Sequence, residues 1–275
     1  MSEGFVETNG VRLWYDDEGP KDGNVVVLIM GAMASAISWP PDLVEALIEA
    51  GHRVVRFDNR DIGLSSHIDY ATAPYTLDDM ATDTLGLLDA LGIERANFVG
   101  VSMGGMISQI VALREPSRVR TLTLIITSPG PGDERLTPMS AEVAEIAIRQ
   151  ATNDAEVAQR TTDMFRALTG SRFPFDESAY RELAAADAAR GTNPNSAHPF
   201  AALGSESRID RLGEISAPTL VVHGTDDPIL PYDHGETLAK SIPGATLITW
   251  EGVGHELPPQ LLPELVDALL DHVRV

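Results

Sequence analysis

The chain has 275 residues, 43% of them hydrophobic, enough to bury a substantial core as one domain with an insertion or as two domains. Its 41 acidic residues against 20 basic ones leave a formal charge of -21, which excludes nucleic acid as a partner, because a phosphate backbone needs clustered Lys and Arg. The absence of cysteine removes disulfides, thiolate metal sites and a cysteine nucleophile together.

The acids are dispersed and read as a solvated, mutually repulsive surface, a balance that a halophilic or thermophilic source also produces. The amino-terminal stretch lacks the basic segment and long apolar run of a secretory signal, and the strongly apolar runs elsewhere are strand-sized. The expected location is the cytoplasm, with no membrane insertion.

The runs 5–8 and 11–15 flank Asn9-Gly10, a two-residue link that predicts a hairpin and hence an antiparallel edge. Strand-like runs at 25–30, 53–57, 96–101 and 121–126 then alternate with helical patterns at 41–50, 77–91 and 103–113. Such alternation predicts an α/β fold, a mostly parallel twisted sheet with helices on both faces, and the fully apolar run 25–30 suits a central strand. Over 129–211 the rhythm changes to Ala, Glu, Asp and Arg at helical spacing, which predicts an inserted helical lid with helices over 142–150, 155–168 and 177–189. Thr152-Asn153-Asp154 and Gly170-Ser171-Arg172-Phe173-Pro174 are its expected breaks. Strand patterns return at 219–223 and 246–250, and 259–272 closes as an amphipathic helix, so 1–128 and 212–275 are expected to form the core. No repeat or low-complexity tract interrupts this order.

Gly100-Val101-Ser102-Met103-Gly104 is G-x-S-x-G placed between a strand pattern and a helix pattern. A serine lifted above a sheet on such a turn takes a strained backbone, and small neighbours let strand and helix approach; Gly100, Gly104 and Gly105 supply that smallness. A serine hydroxyl is a weak nucleophile at neutral pH and needs a base, which in turn needs a group to hold its tautomer. Two loops at expected carboxyl ends of strands offer them: 224–231, with Asp226 and Asp227, and 252–255, with His255. The resulting chain order is Ser, Asp, His.

With these motifs the sequence resembles the α/β-hydrolases, and within them the aclacinomycin methylesterase group of small-substrate esterases. The likeness covers nearly the whole chain and is carried by Met30-Gly31-Ala32, Ser38-Trp39-Pro40, Asp58-Asn59-Arg60-Asp61-Ile62-Gly63-Leu64-Ser65, Gly100 to Gly105, Asp227-Pro228-Ile229 and Gly254-His255. Asp61 stands where many members have glycine and is a likeness to the subgroup; the lid fits less well, apart from Pro174-Phe175-Asp176 and Tyr180. The resemblance implies Ser102 as nucleophile, His255 as general base and then acid, and Asp227 as the group that orients it. Similar enzymes place the acid directly before a turn like Pro228-Ile229-Leu230-Pro231, which leaves Asp226 a turn or capping role. It also implies an oxyanion hole from the backbone amides of Ala32 and Met103, donors that need no reorganisation.

The implied chemistry is hydrolysis of a carboxylic ester of a small or medium, largely apolar substrate through an acyl-serine. A lactonase, amidase, perhydrolase or carbon-carbon bond hydrolase would carry the same motifs, and a ligand receptor built on a hydrolase pocket is the non-enzymatic alternative. Serine rather than aspartate at 102 argues against the dehalogenase and epoxide hydrolase branches. Met33, Trp39, Ile229, Leu230 and Leu257, with Met103, are expected to line the pocket from the core side, and Phe165, Phe173, Phe175 and Phe200 are candidates from the lid. Asp58, Arg60 and Asp61 read as a structural ion-pair network, and His223 as a structural histidine. His52, His67, His198, His234 and His272 share no metal-ligand spacing, and no phosphate-loop motif occurs, so neither metal nor cofactor is expected; a homodimer is left open.

Overall fold

A computed structural model of the chain describes residues 2–150, 154–191, 193 and 196–274. Strands β1 (Ser2–Thr8), β2 (Val11–Glu18) and β3 (Val25–Ile29) are followed by α1 (Pro41–Glu49), β4 (Arg53–Phe57), α2 (Leu77–Ala90), β5 (Ala96–Val101), α3 (Met103–Arg114) and β6 (Val119–Ile125). Then come α4 (Ala141–Ile148), α5 (Asp154–Leu168), α6 (Glu177–Ala189) and α7 (His198–Leu203), before β7 (Thr219–Gly224), α8 (Tyr232–Ser241), β8 (Thr246–Trp250) and α9 (Leu262–His272). Among the described residues the strands form one eight-stranded sheet in the order β1-β2-β4-β3-β5-β6-β7-β8. β1 and β2 pair antiparallel, as do β2 and β4, and from β4 to β8 every pairing is parallel.

The period of two in the central strands divides the core. Val27 and Ile29 of β3 and Phe98 of β5 face a cluster completed by Leu77, Met80 and Leu87 of α2, Ile107 and Val111 of α3, and Leu238 of α8. Val26, Leu28, Val99 and Val101 face the other way, onto Leu43, Val44 and Leu47 of α1 and Leu265 and Leu269 of α9. Local signals frame the helices. Pro41 opens α1 with its fixed φ, and a reciprocal capping box between Thr76 and Asp79 starts α2.

The helical excursion between β6 and β7 carries the helices expected there and adds α7; Thr152 and Asn153 of its first expected break lie outside the described residues. α8 is a further departure from the sequence pattern. Pro231 precedes it, but its buried positions are His234, Gly235 and Leu238, so no apolar stripe marks it as a helix.

Candidate active site

Ser102 sits at the carboxyl end of β5, where the chain reverses the order in which strands are added, the position at which an open α/β sheet leaves a crevice. It is the N-cap of α3, with φ 52° and ψ -118°. Four bonds hold that strained conformation: its amide donates to the Ile125 carbonyl at 2.9 Å, and its carbonyl accepts from Thr127 Oγ1 at 2.6 Å, Gly105 N at 2.9 Å and Met106 N at 3.2 Å. A Cβ on Gly104 would run into the Ile29 carbonyl, and one on Gly100 into the Gly104 carbonyl, so the tight strand-to-helix turn requires glycine at both.

The loops after β7 and β8 bring Asp227 and His255 to the serine. His255 Nε2 lies 3.0 Å from Ser102 Oγ, and His255 Nδ1 lies 2.7 Å from Asp227 Oδ2. The other Asp227 oxygen, Oδ1, accepts the amides of Ile229 and Leu230, both at 2.9 Å. Burial alone would raise the Asp227 carboxyl, but the charge and hydrogen bond of His255, aided by His223 and the Leu230 amide, outweigh it and hold the group below the ordinary carboxylate range. Asp226 points elsewhere, onto the amide at 3.1 Å and the hydroxyl of Ser171 in the segment between α5 and α6. His223 is buried at the end of β7, with Nε2 bonded to the Leu230 carbonyl at 2.7 Å and 3.6 Å from Asp227 Oδ2; burial pushes its imidazole down.

Gly31 closes over the serine, since a Cβ there would stand 3.2 Å from Ser102 Cβ. The Ala32 amide finds no protein acceptor among the described residues, and the Met103 amide belongs to the first turn of α3, where the helix has no carbonyl to offer it. Met103 follows Ser102 in the chain, and Ala32 follows Gly31, which packs on Ser102.

The expected pocket residues divide. Met33, Ile229 and Leu257 are half-buried, the last two packed against the core clusters, whereas Trp39, at 1% exposure, and Leu230, at 3%, lie within those clusters. Tyr180 lies between Phe165 and Phe175, ring centroids 4.8 and 5.2 Å away, Phe173 packs against the core, and Phe200 is 69% exposed and stacks on Tyr70. A cavity of about 600 Å³ lies between α5 and α6, with Phe165 and Tyr180 in its wall, and it touches none of Ser102, Asp227 and His255.

Residues 168–198 are strapped to the loops around Ser102 at both ends, a feature that sequence spacing does not announce. At one end the His255 amide donates to the Leu168 carbonyl at 2.8 Å, Gly170 N donates to Glu256 Oε1 at 3.0 Å and Arg172 N donates to the Gly252 carbonyl at 2.8 Å. At the other, Ser35 Oγ bonds Asp187, Arg190 reaches Asp58 at 3.2 Å, and the His198 ring spans Met33 N and the Arg60 carbonyl. Of the ionic network expected of Asp58, Arg60 and Asp61, the Asp58 and Asp61 side chains join this strap, while the Arg60 side chain turns to α2. Arg60 pairs with Asp83 at 2.6 Å, and Asp61 accepts from Ile68 N, Ala197 N, Tyr75 Oη and Asn193 Nδ2.

Burial pushes the Asp61 carboxyl up, but those four donors outweigh it and hold it below the ordinary range. A depressed carboxyl contributes stability that is present above its unfolded pKa and is lost as pH falls through the folded value. The stability advantage of the wild type over Asp61→Asn is therefore expected to shrink as pH falls below about 4, read from thermal unfolding at successive pH values. A gap of constant width would show that ionised Asp61 is not the group responsible.

Among the described residues no cluster of three or more His, Asp or Glu side chains could hold a metal ion, and no helix is long and apolar enough to cross a membrane.

The turn, the sheet and the serine crevice belong to one class, and comparison with known proteins agrees: the chain belongs to the α/β hydrolase fold family, which it matches over residues 24–259. It is similar to rhodomycin D methylesterase of Streptomyces peucetius, 33% identical over 294 aligned positions that take in 100% of this chain and 99% of that one. It is also similar to a 2-hydroxy-6-oxononadienedioate/2-hydroxy-6-oxononatrienedioate hydrolase of Paraburkholderia xenovorans, 31% identical over 89% of this chain and 84% of the relative. A solved hydrolase structure from Pseudomonas aeruginosa superposes with a TM-score of 0.79 at 28% identity, covering 99% of this chain and 98% of the other.

Proposed function

We propose that the protein is a serine hydrolase that cleaves a carboxylic ester of a small or medium, largely apolar substrate. The observation that carries this reading is the continuous chain from Ser102 Oγ to His255 at 3.0 Å and from His255 to Asp227 at 2.7 Å. Similarity to a methylesterase supports an ester as the bond cleaved. His255 Nε2 takes the hydroxyl proton as Ser102 Oγ attacks the ester carbonyl, and the tetrahedral oxyanion is held by the amides of Ala32 and Met103. Collapse expels the alcohol, which leaves with the proton from His255, and an acyl-serine remains. His255 then takes a proton from water as it attacks the acyl carbon, and the acid departs with Ser102 restored.

In this scheme residues 129–211 act as a lid over the site, Met33, Ile229 and Leu257 border the substrate, and Trp39 and Leu230 support that wall from behind. No step calls on a metal or cofactor. A lactonase, amidase, perhydrolase or carbon-carbon bond hydrolase would use the same groups, so methyl, acetyl, butyryl and lactone substrates are compared side by side. The decisive experiment treats the purified chain with nitrophenyl butyrate and with an organophosphonate serine reagent. Ester turnover and one phosphonyl mass on the peptide carrying Ser102 are expected; absence of both sinks the proposal.

A further inference from the structure

We infer that His198, from the helical segment, is a positioning residue for the oxyanion loop and sets the rate of acyl transfer without touching substrate. This deepens the serine-hydrolase reading and rests on it. His198 is fully buried at the start of α7, and its ring bridges two backbone groups: Nδ1 lies 3.2 Å from Met33 N, and Nε2 lies 2.6 Å from the Arg60 carbonyl. An amide can only donate and a carbonyl can only accept, so the proton sits on Nε2 and the lone pair of Nδ1 receives the Met33 hydrogen. Burial pushes the imidazole down, which keeps that lone pair free of a second proton.

The bond matters because of where Met33 stands. It follows Ala32 directly and adopts φ 65°, the left-handed region that a side chain of its size avoids. In such a conformation the orientation of the Ala32-Met33 peptide depends on what holds it, and the Ala32 amide, one of the two donors for the oxyanion, belongs to the neighbouring peptide. The histidine is itself held firmly: Asp61 Oδ2 accepts the Ala197 amide at 2.9 Å, and the Tyr75 ring meets the imidazole edge-on at 6.4 Å. The path thus starts at Asp61 in the loop after β4, crosses to Ala197 and His198, and returns through Met33 to Ala32. Catalysis by an oxyanion hole depends on donors fixed before the charge develops, so a loop free to relax loses rate and not ground-state binding.

Two substitutions of similar size separate positioning from packing. Asn places its amide oxygen near the Nδ1 position and keeps an acceptor for Met33, whereas Gln places a donor near the Nε2 position and keeps only the Arg60 contact. His198→Gln is expected to lower kcat about 100-fold with KM changed less than about threefold, the scale of a misplaced donor. His198→Asn is expected to stay within about tenfold of the wild type. Affinity for an alkyl trifluoromethyl ketone, whose adduct places an oxyanion in the same hole, should fall in parallel with kcat in the Gln variant. Hydrogen exchange of the peptide covering residues 31–36 should rise in that variant first. If the Gln and Asn variants are equally active, or if KM moves in place of kcat, His198 only packs and the inference is overturned. A wild-type chain inert to both nitrophenyl butyrate and phosphonate overturns the serine-hydrolase reading and this inference with it.

Discussion

Ser102→Ala is expected to lower ester turnover about 10⁶-fold, the scale reported for removal of a triad serine, while thermal unfolding stays within about 3 °C of the wild type. The two parts of that expectation rest on different atoms. The hydroxyl's only protein partner among the described residues is His255, so removing it deletes the attacking oxygen and one hydrogen bond. The strained φ is held by backbone groups, the Ser102 amide on Ile125 and its carbonyl on Thr127, Gly105 and Met106, and alanine keeps all of them. Measured kcat, a melting curve and loss of phosphonate labelling together test it; residual turnover near the wild-type rate removes Ser102 from the mechanism.

Asp227→Asn should lower kcat about 10⁴-fold, as the equivalent change does in a serine protease, whereas Asp226→Asn should change it less than about threefold. The surroundings dictate how the new amide sits. Asp227 Oδ1 receives the Ile229 and Leu230 amides, so the asparagine must place its carbonyl oxygen there. Its NH₂ then faces His255 Nδ1, which becomes an acceptor, and the imidazole proton moves to Nε2, facing Ser102. A base already protonated on that nitrogen cannot take the hydroxyl proton. Asp226 has its carboxylate on Ser171, so its loss loosens the connection to 168–172 and leaves the imidazole tautomer intact. The reverse ranking of kcat would transfer the orienting role to Asp226.

The sheet and Ser102 were legible because their signals are local. An apolar run such as 25–30 has to be buried on both faces, an Asn-Gly link has to turn, and glycines around a serine after a strand leave few other conformations. α8 was hidden because a helix that buries a histidine and a glycine beside a leucine has no stripe to read. His198 was hidden for a different reason. Its partners, Met33 and Arg60, are 165 and 138 residues away and offer backbone atoms, so no residue type at either place records the contact. The depth of Trp39 and Leu230 was not legible: apolar character marks a residue for burial without saying how deep it sits, and these two are almost wholly buried in the core clusters.

The hydrogen bond from the His255 amide to the Leu168 carbonyl bears on how this scaffold can diversify. The stretch between β6 and β7 is the natural place to exchange for a new specificity, yet here it supplies an acceptor to the His255 amide, a hydroxyl to Asp226 and an imidazole to the Met33 amide. A transplant from another member has to remake these three attachments. Swaps confined to 142–164, ahead of the first strap, leave these bonds in place, so that interval is the portion open to grafting, and the strapped flanks are best kept together with the loops after β3, β4, β7 and β8.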